Sequence, residues 1–324
     1  TDLSSSSRPP KPAMSCVPVV DAAKSTDICA NCDKQGSDGI KLKNCNACFL
    51  VKYCSVDCQK AHRKQHKKAC KERAAELKDE KLYGKGHERP EFHFCPICFL
   101  AIPMPYVEHS VFYVCCMKMV CNGCCIMTSA QGHGTDFIDC PFCRTPEPEN
   151  DDEILGMIKK RVAARDPVAI HHLGDQYQSG LLGLEMSLPR AFELWTEAAE
   201  LGSLRALFKL GVSYYHGTAT GASQDKEKGI RYWESAAMQG DISSRHMLGE
   251  VELENGNYER AVRHFMISAN MGEKASLDLI KNLFAGGHAT KHQYAEALKG
   301  YQDAVGETKS TQRNIAMRLE SLAG

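Results

Sequence analysis

Residues 29–70 read CANCDKQGSDGIKLKNCNACFLVKYCSVDCQKAHRKQHKKAC, with cysteines at short, regular intervals. Residues 95–143 carry a second such group, which begins Cys95-Pro-Ile-Cys98 and ends Cys140-Pro-Phe-Cys143. Together the two groups contain 16 of the 17 cysteines. Paired thiolates two or three residues apart converge on one tetrahedral zinc ion, and two pairs fill its four positions. The sequence therefore predicts two adjacent structural zinc modules.

The bulk composition of the 324-residue chain fits an ordinary globular protein of about two or three domains. The formal net charge is zero, which argues against a protein that coats nucleic acid. No apolar run approaches the roughly 18 residues of a membrane helix, and residues 1–12 lack the apolar core of a signal peptide. Many thiols without a secretory signal favour a reducing compartment and metal ligation over disulfides. We expect an intracellular protein, cytoplasmic or nuclear, without membrane or nucleic-acid partners.

The first group offers eight candidate ligands, enough for two zinc ions. They are Cys29, Cys32, Cys45, Cys48, Cys54, Cys58, His66 and Cys70. The last two pairs are spaced i, i+4, and on a helix that spacing puts both side chains of a pair on one face. Four protein ligands per ion leave no open position, so we expect no catalysis at the metal.

This spacing, with Tyr53 before the fifth ligand and Gln59 after the sixth, resembles the MYND zinc finger. By that resemblance the sites interleave: Cys29, Cys32, Cys54 and Cys58 hold one zinc, and Cys45, Cys48, His66 and Cys70 hold the other. The resemblance also implies recognition of peptides, often proline-containing ones, with Gln59 as the candidate contact. Arg63 departs from the family pattern, because a tryptophan usually stands there.

The second group resembles the all-cysteine variant of the RING finger. By that resemblance Cys95, Cys98, Cys121 and Cys124 hold one zinc, and Cys115, Cys116, Cys140 and Cys143 hold the other. The departure is the adjacent pair Cys115-Cys116, which lacks the usual spacer. His109, Cys125 or His133 are alternative ligands in place of one of them.

RING fingers commonly act as ubiquitin ligases by positioning a ubiquitin-conjugating enzyme and its thioester-linked ubiquitin. The resemblance implies three contact residues for this partner: Ile97 within the first pair, Pro141 within the last pair, and Arg144 directly after the last ligand. A purely structural module with these residues by chance is the other reading, because proline stiffens any such knuckle.

Three segments without ligands separate and flank the modules. Residues 1–28 are Ser/Pro-rich and predict a disordered arm. Residues 71–94 alternate basic and acidic side chains and predict a basic, solvated helical connector rather than a nucleic-acid patch. Residues 146–165 begin with five acids and no base, which predicts an extended acidic linker whose acids favour the start of the next helix.

The rest of the chain repeats itself. Leu173-Gly174-x-x-Tyr177 recurs from Leu210, and Trp195-x-x-Ala-Ala-x-x-Gly202 recurs from Trp233. A third copy is Phe265-x-x-Ser268-Ala269-x-x-Gly272. The pattern resembles the Sel-like repeat, a relative of the tetratricopeptide repeat. It predicts paired helices in units 166–202, 203–240 and 241–272, a degenerate fourth unit 273–305, and a C-terminal capping helix within 306–324. By the resemblance, the concave surface of such a stack binds other proteins.

The predicted fold class is multidomain: a zinc-stabilised module at 29–70, another at 95–145, and an all-α solenoid of helical repeats at 166–305. The predicted cofactor is zinc, four ions per chain, and no catalytic residue is assigned. The function favoured by these features is a zinc-binding protein-interaction scaffold or adaptor. The alternative is a RING-type ubiquitin ligase that binds its substrate through the repeats.

Overall fold

A computed structural model describes residues 27–37, 39–131, 139–218 and 224–323. The predicted disordered arm therefore lies almost entirely outside the described residues. The chain divides into two compact units, residues 1–78 and residues 79–324.

The first unit is small and built around its cysteines. Strand β1 (Lys43–Asn44) pairs antiparallel with β2 (Lys52–Tyr53), and helix α1 (Val56–Tyr83) follows directly. Its core consists of Cys29, Cys45, Cys48 and Tyr53, with a few half-buried neighbours. So thin a core buries little apolar surface, and its stability must come chiefly from metal ligation.

The second unit begins with a zinc module of mixed structure. It contains a 3₁₀ turn (Glu91–His93), helix α2 (Tyr106–His109), strand β3 (Ser110–Tyr113), strand β4 (Lys118–Cys121) and helix α3 (Asn122–Gln131). The two strands pair antiparallel with Val111 opposite Val120. Ile102 and Val120 are fully buried among the cysteines and form the apolar centre.

In the described ranges after residue 139 the secondary structure is helical, and most of the helices pack in antiparallel pairs. Their bounds are α4 (Asp151–Ala163), α5 (Pro167–Ser179), α6 (Leu188–Glu200), α7 (Leu204–His216), α8 (Lys226–Ala237), α9 (Ile242–Glu254), α10 (Tyr258–Asn270), α11 (Lys274–Ala285), α12 (Lys291–Gly306) and α13 (Thr311–Ala323). Among the helices that the structure describes, none combines the length and apolar character needed to cross a bilayer.

Each of the first three repeat units places an aromatic ring of its second helix against a glycine of its first. A Cβ on Gly174 would lie 2.7 Å from Trp195 Nε1, and one on Gly211 would lie 2.3 Å from Trp233 Nε1. Phe265 fills the same place beside Gly249. Both tryptophans are buried and are therefore core residues of the repeats.

Side-chain caps mark the starts of α5 and α6. The Asp166 side chain accepts from the backbone N–H of Val168 at 3.0 Å, and Ser187 caps α6 through Arg190 N–H. These bonds satisfy donors that the first helical turn leaves unpaired.

The acidic linker differs from its prediction. It is not extended to residue 165, because α4 begins at Asp151 with Asn150 as its cap and buries Leu155 and Ile158. The acids that suggested a solvated linker lie in the first turn of α4, where the helix dipole favours negative charge.

Residues 79–119 of the second unit lie across the repeats. Arg245 of α9 is fully buried and donates to the carbonyl oxygens of Leu82 at 2.9 Å and Lys85 at 2.7 Å. Tyr83 packs on His264 of α10 with ring centroids 4.7 Å apart.

The zinc module of this unit continues the contact. Phe112 packs on His172 of α5 at 4.9 Å, and Arg205 of α7 donates to the sulfur of Met119 at 3.1 Å. Part of the repeat surface that the sequence analysis expects to bind other proteins is therefore covered by the chain itself.

Helix α13, in the range predicted to cap the helical repeats, lies against the second zinc module. Helix α13 packs along α3 of the zinc module. The backbones touch at Gly123, where a Cβ would lie 2.7 Å from the backbone nitrogen of Arg313. Glycine at this position allows the close approach.

Candidate metal centres

The first tetrad consists of Cys29, Cys32, Cys54 and Cys58, whose sulfur atoms all lie within 4.8 Å of one another. The sulfur of Cys54 is 3.6 Å from that of Cys32 and 3.6 Å from that of Cys58. The i, i+4 spacing predicts Cys54 and Cys58 on one helix, but α1 begins at Val56. Cys54 instead follows β2, so the end of a strand and the first turn of a helix supply this pair.

The second tetrad consists of Cys45, Cys48, His66 and Cys70. Cys45 Sγ lies 3.7 Å from Cys70 Sγ, and Cys48 Sγ lies 3.2 Å from His66 Nε2. His66 and Cys70 share a face of α1, as their spacing predicts. Since Cys58 also lies on α1, this single helix contributes ligands to both tetrads.

The third tetrad lies in the second zinc module and consists of Cys95, Cys98, Cys121 and Cys124. Cys98 Sγ is 3.8 Å from Cys121 Sγ. Cys95 and Cys98 lie in a turn, whereas Cys121 and Cys124 lie at the junction of β4 and α3. The tetrad therefore connects the start of the module with the β4–α3 junction.

The fourth tetrad consists of Cys115, Cys116, Cys140 and Cys143. Cys116 Sγ lies 3.7 Å from Cys140 Sγ, and Cys143 Sγ lies 3.3 Å from Cys115 Sγ. The two adjacent cysteines thus reach one centre, with left-handed backbone at the next residue, Met117.

The alternative ligands fall elsewhere or outside the described residues. The sulfur of Cys125 accepts from the Tyr113 hydroxyl at 3.5 Å and is not part of the tetrad. His109 ends α2 and is not part of it either. His133 lies in the range that the structure does not describe.

Four Cys-x-x-Cys turns share one backbone design. In each, the residue after the second cysteine has a positive φ of 57–59°, and its N–H donates to the carbonyl of the first cysteine at 2.8–2.9 Å. These residues are Asp33, Phe49, Phe99 and Arg144. The bond closes a tight knuckle that directs both sulfurs to the same side, which is the arrangement a shared ion requires.

The tetrads fit zinc in donor chemistry and in size. Zinc in structural sites is tetrahedral with Zn–S distances of about 2.3 Å, so its sulfur ligands lie about 3.8 Å apart. The measured separations of 3.3–3.8 Å match that value. Fifteen cysteine sulfurs and one imidazole nitrogen, without carboxylates, form a donor set that favours zinc over calcium or magnesium.

The electrostatics of the tetrads favour a bound cation. Burial, reinforced by the charge of Cys140, raises the pKa of Cys116 to about 12. Burial, reinforced by the charge of Cys95, raises the pKa of Cys124 to about 12. Four thiolates at such distances repel one another, and a divalent ion offsets the repulsion when it binds and displaces the thiol protons.

Two side chains near the second tetrad, Tyr53 and His62, support its ligands although their sequence positions did not predict this role. Tyr53 is buried, and its hydroxyl lies 3.1 Å from Nδ1 of His62. The ring of His62 stacks on that of His66 with centroids 5.7 Å apart. His62 therefore supports the ligand His66 rather than pointing into solvent. The only available signal was its i, i+4 spacing before His66.

The candidate partner-binding residues lie at or near the surface. Gln59 and Arg144 are exposed, whereas Ile97 and Pro141 are half-buried within their knuckles. The position of each is compatible with contact to a partner, and none of them is a member of a tetrad.

Comparison with known protein families identifies two parts of the chain. Residues 29–70 match the MYND finger, and residues 167–203 and 204–241 each match the Sel1 repeat. The chain thus contains a MYND finger, which binds zinc, followed by an all-helical Sel1-repeat region. Both resemblances and the zinc prediction are confirmed. These modules support a zinc-binding protein-interaction adaptor.

Similar proteins share the repeat region. An uncharacterized Sel1-like repeat-containing protein of Schizosaccharomyces pombe is 25% identical over 169 residues, which cover 50% of this chain and 25% of the relative. The chain thus aligns with only a quarter of that relative's length. A Sel1 repeat protein from Oxalobacter formigenes is 23% identical with a TM-score of 0.42, covering 53% of this chain and 71% of its own. A protective antigen of uropathogenic Escherichia coli is 20% identical with a TM-score of 0.41, covering 52% of this chain and 41% of its own.

Proposed function

We propose that this protein is an adaptor whose MYND finger binds an extended peptide segment of a partner protein along one face of α1. The observation that carries the proposal is a stripe formed by Val56, Gln59 and Arg63. These residues recur at i, i+3 and i+7, so their side chains share a face, and all three are exposed.

The chemistry of the stripe indicates the kind of peptide. Val56 offers an apolar contact of the size of a proline ring. The Gln59 amide both donates and accepts, and can therefore bond both polar groups of an extended peptide backbone. Arg63 adds a cation in place of the aromatic residue usual in the family. The expected ligand is a proline-containing peptide with an acidic residue near the proline.

Zinc would hold the stripe in place before any ligand arrives. Cys58, His66 and Cys70 belong to the same helix as the stripe and to the two tetrads of the finger. A contact surface fixed in this way loses little conformational entropy on binding, and so more of the contact energy is available as affinity.

Titration of the full-length protein into labelled peptides, followed by fluorescence anisotropy, tests the proposal. A Pro/Asp-containing peptide should bind more tightly than its Asn counterpart. Gln59→Ala should weaken both complexes, and Arg63→Ala should abolish only the preference for the acid. Gln65→Ala, an exposed glutamine on the opposite side of α1, is the matched control and should bind as wild type does. Equal affinities of the Gln59→Ala and wild-type proteins would rule out the stripe.

The repeats would supply partner-binding surface outside the part covered by residues 79–119. The connection between α5 and α6 supports this, because its apolar side chains Leu181, Met186 and Leu188 are exposed. Charged substitutions there should lower co-purification of partners without changing the binding of a MYND peptide.

A second candidate function is ubiquitin transfer by the module at 95–145. The observation in its favour is the interleaving of the third and fourth tetrads, which alternate along the chain in the order of a cross-braced RING finger. Phe99, beside the half-buried Ile97, is 77% exposed and would widen an apolar contact for a conjugating enzyme.

A ubiquitination assay with a panel of conjugating enzymes separates the two candidates. Ligase activity would be supported if wild type forms ubiquitin chains and if the Ile97→Ala and Arg144→Ala variants form fewer of them at the wild-type zinc content. An inactive wild type, or an Arg144→Ala variant as active as wild type, would leave the adaptor function alone.

A further inference from the structure

The guanidinium of Arg313 lies inside the second zinc module, although the residue belongs to α13 near the C-terminus. Arg313 is only 6% exposed. Its Nη2 donates to Cys98 Sγ at 3.4 Å and to the carbonyl oxygen of Leu100 at 3.1 Å. Its Nη1 donates to the carbonyl oxygens of Ala101 and, at 2.7 Å, of Thr308. The side chain therefore contacts the third tetrad and its supporting loop at once.

The anionic groups that this buried cation meets are zinc ligands. Cys121, a second member of the tetrad, has its sulfur 3.8 Å from that of Cys98, the sulfur that accepts from the guanidinium. Among the described residues, no carboxylate lies within ion-pair distance of Arg313. A buried guanidinium without a counter-charge is costly, so the thiolates of the tetrad account for its presence.

The charge of the metal site explains the need for a cation. One zinc ion with four thiolates carries a net charge of about −2. N–H···S bonds to buried thiolates and a nearby positive charge both lower the free energy of such a site, and they orient the ligands.

The packing of α13 delivers the arginine to this place. Gly123 lies between Cys121 and Cys124, and a Cβ there would lie 3.0 Å from the Cα of Arg313. Ala316, one turn further along α13, is almost completely buried. The knuckle of the third tetrad and the C-terminal helix are thus fitted to each other by two small residues.

We propose that Arg313 is a positioning residue of the zinc site formed by Cys95, Cys98, Cys121 and Cys124, and that α13 is therefore an integral part of the second zinc module. Arg313 neutralises part of the thiolate charge of the tetrad and fixes the sulfur of Cys98. The stability of this site then depends on a helix that lies far from it in the sequence.

Zinc release to a chromogenic chelator tests the proposal in the full-length protein. Arg313→Gln and Arg313→Lys are compared, because both side chains are long and polar but only lysine retains the charge. The glutamine variant should release one zinc ion about tenfold faster than wild type, within the range typical of residues that support metal ligands. The lysine variant should lie between the two.

The site of release is read from alkylation of individual cysteines by mass spectrometry. Cys98 and Cys121 should be alkylated faster in Arg313→Gln, whereas Cys45 and Cys48 of the first unit should react as in wild type. Arg161→Gln is the matched control, since Arg161 donates to the carbonyl oxygen of Cys115 rather than to a sulfur.

Cobalt-substituted protein provides a readout that packing alone would not change. Loss of an N–H···S bond makes the thiolates easier to oxidise, so the sulfur-to-cobalt charge-transfer band of Arg313→Gln should move to lower energy, with a smaller change in Arg313→Lys. Equal release rates and equal spectra for the lysine and glutamine variants would overturn the proposal, whether or not either variant is less stable than wild type.

Discussion

Gly211 of α7 has no side chain because the indole ring of Trp233 occupies the space that one would need. A Cβ at this position would lie 2.3 Å from Nε1 and 2.4 Å from Cδ1 of the fully buried tryptophan. We expect Gly211→Ala to lower the free energy of unfolding by about 1–3 kcal/mol, the usual cost of overpacking a core. Urea denaturation followed by circular dichroism measures the change.

Gly156→Ala is the matched control for this substitution. Gly156 also lies inside a helix, α4, but a Cβ added there would meet no atom within 4 Å. Alanine at this position should raise the free energy of unfolding by about 0.5–1 kcal/mol, because it lowers the entropy of the unfolded chain. A loss of stability in both variants would mean that the result does not depend on contact with the indole.

His264 of α10 makes the second unit sensitive to acid. Burial lowers its pKa to about 2, and the nearby charges of Arg245, Arg260 and Arg263 act in the same direction. The unfolded chain takes up a proton near its ordinary pKa of about 6.5 while the folded chain does not. Stability is therefore retained above that pH and lost progressively as pH falls below it. At pH 5 the loss from this histidine alone is about 2 kcal/mol.

Comparison with His264→Gln isolates this contribution from the acid sensitivity of the zinc ligands. The fall in the free energy of unfolding of the second unit between pH 7 and pH 5 should be smaller in His264→Gln than in wild type. His292→Gln, a substitution of an exposed histidine on α12, should keep the wild-type slope. If the slopes of all three proteins agree, His264 is not buried in its neutral form.

The last residues of α1, from Asp79 to Tyr83, belong to the second unit and pack on the repeats. The ring of Tyr83 lies under the guanidinium of Arg263 at 3.7 Å and beside His264. Its hydroxyl is buried without a hydrogen-bond partner among the described residues. We expect Tyr83→Ala to cost about 3–5 kcal/mol through the cavity it leaves. Tyr83→Phe should be neutral or stabilising by up to about 1 kcal/mol, because it removes an unsatisfied polar group.

Thermal unfolding of the two variants tests this pair of expectations. The opposite ordering, with Tyr83→Phe the more damaging, would mean that the hydroxyl has a partner such as a buried water. Glu72→Ala, on the exposed part of α1 in the first unit, should leave the transition of the second unit unchanged.

The elements that sequence could predict are those with local signals. The caps at Asp166 and Ser187 and the recurring glycine–aromatic pairs lie within a few turns of one another, so the sequence pattern carries them. The acids of residues 151–153 were ambiguous, because a helix N-terminus and a solvated linker favour the same residues. The interior of α4 shows its helical character only through Leu155 and Ile158, which need the repeats to pack against.

At the scale of the molecule, the sequence predicted the modules but not how the second zinc module and the repeats meet. The candidate ligands follow from their spacing within each module, and the resemblance to the MYND and RING fingers implies how they divide into tetrads. The attachments of Leu82 to Arg245 and of Cys98 to Arg313 join residues more than 160 positions apart. Neither arginine carries a local signal that separates it from a solvated arginine on a helix. Only the folded arrangement reveals their burial.

Zinc removal should therefore affect the two units unequally. The core of the first unit consists mainly of ligand cysteines, whereas the repeats hold aliphatic and aromatic clusters without cysteine. Structural zinc contributes apparent free energies of about 10–16 kcal/mol in finger-sized domains, which is more than so small a core can replace. We expect amides in residues 43–53 to lose all protection from hydrogen exchange when zinc is chelated. Amides in helices α9 and α10 should keep theirs.

The second zinc module should respond between these extremes. Met117 and half-buried Phe112 pack into the cluster formed by helices α4–α7, and these contacts include no metal ligand. Hydrogen exchange with mass spectrometry, on reduced protein before and after chelation, measures all three regions at once. Full protection of residues 43–53 at zero zinc content would contradict a metal-dependent first unit. Simultaneous loss of protection in α9 and α10 would show that the repeats rely on zinc as well, because the module that covers them would then be required for their folding.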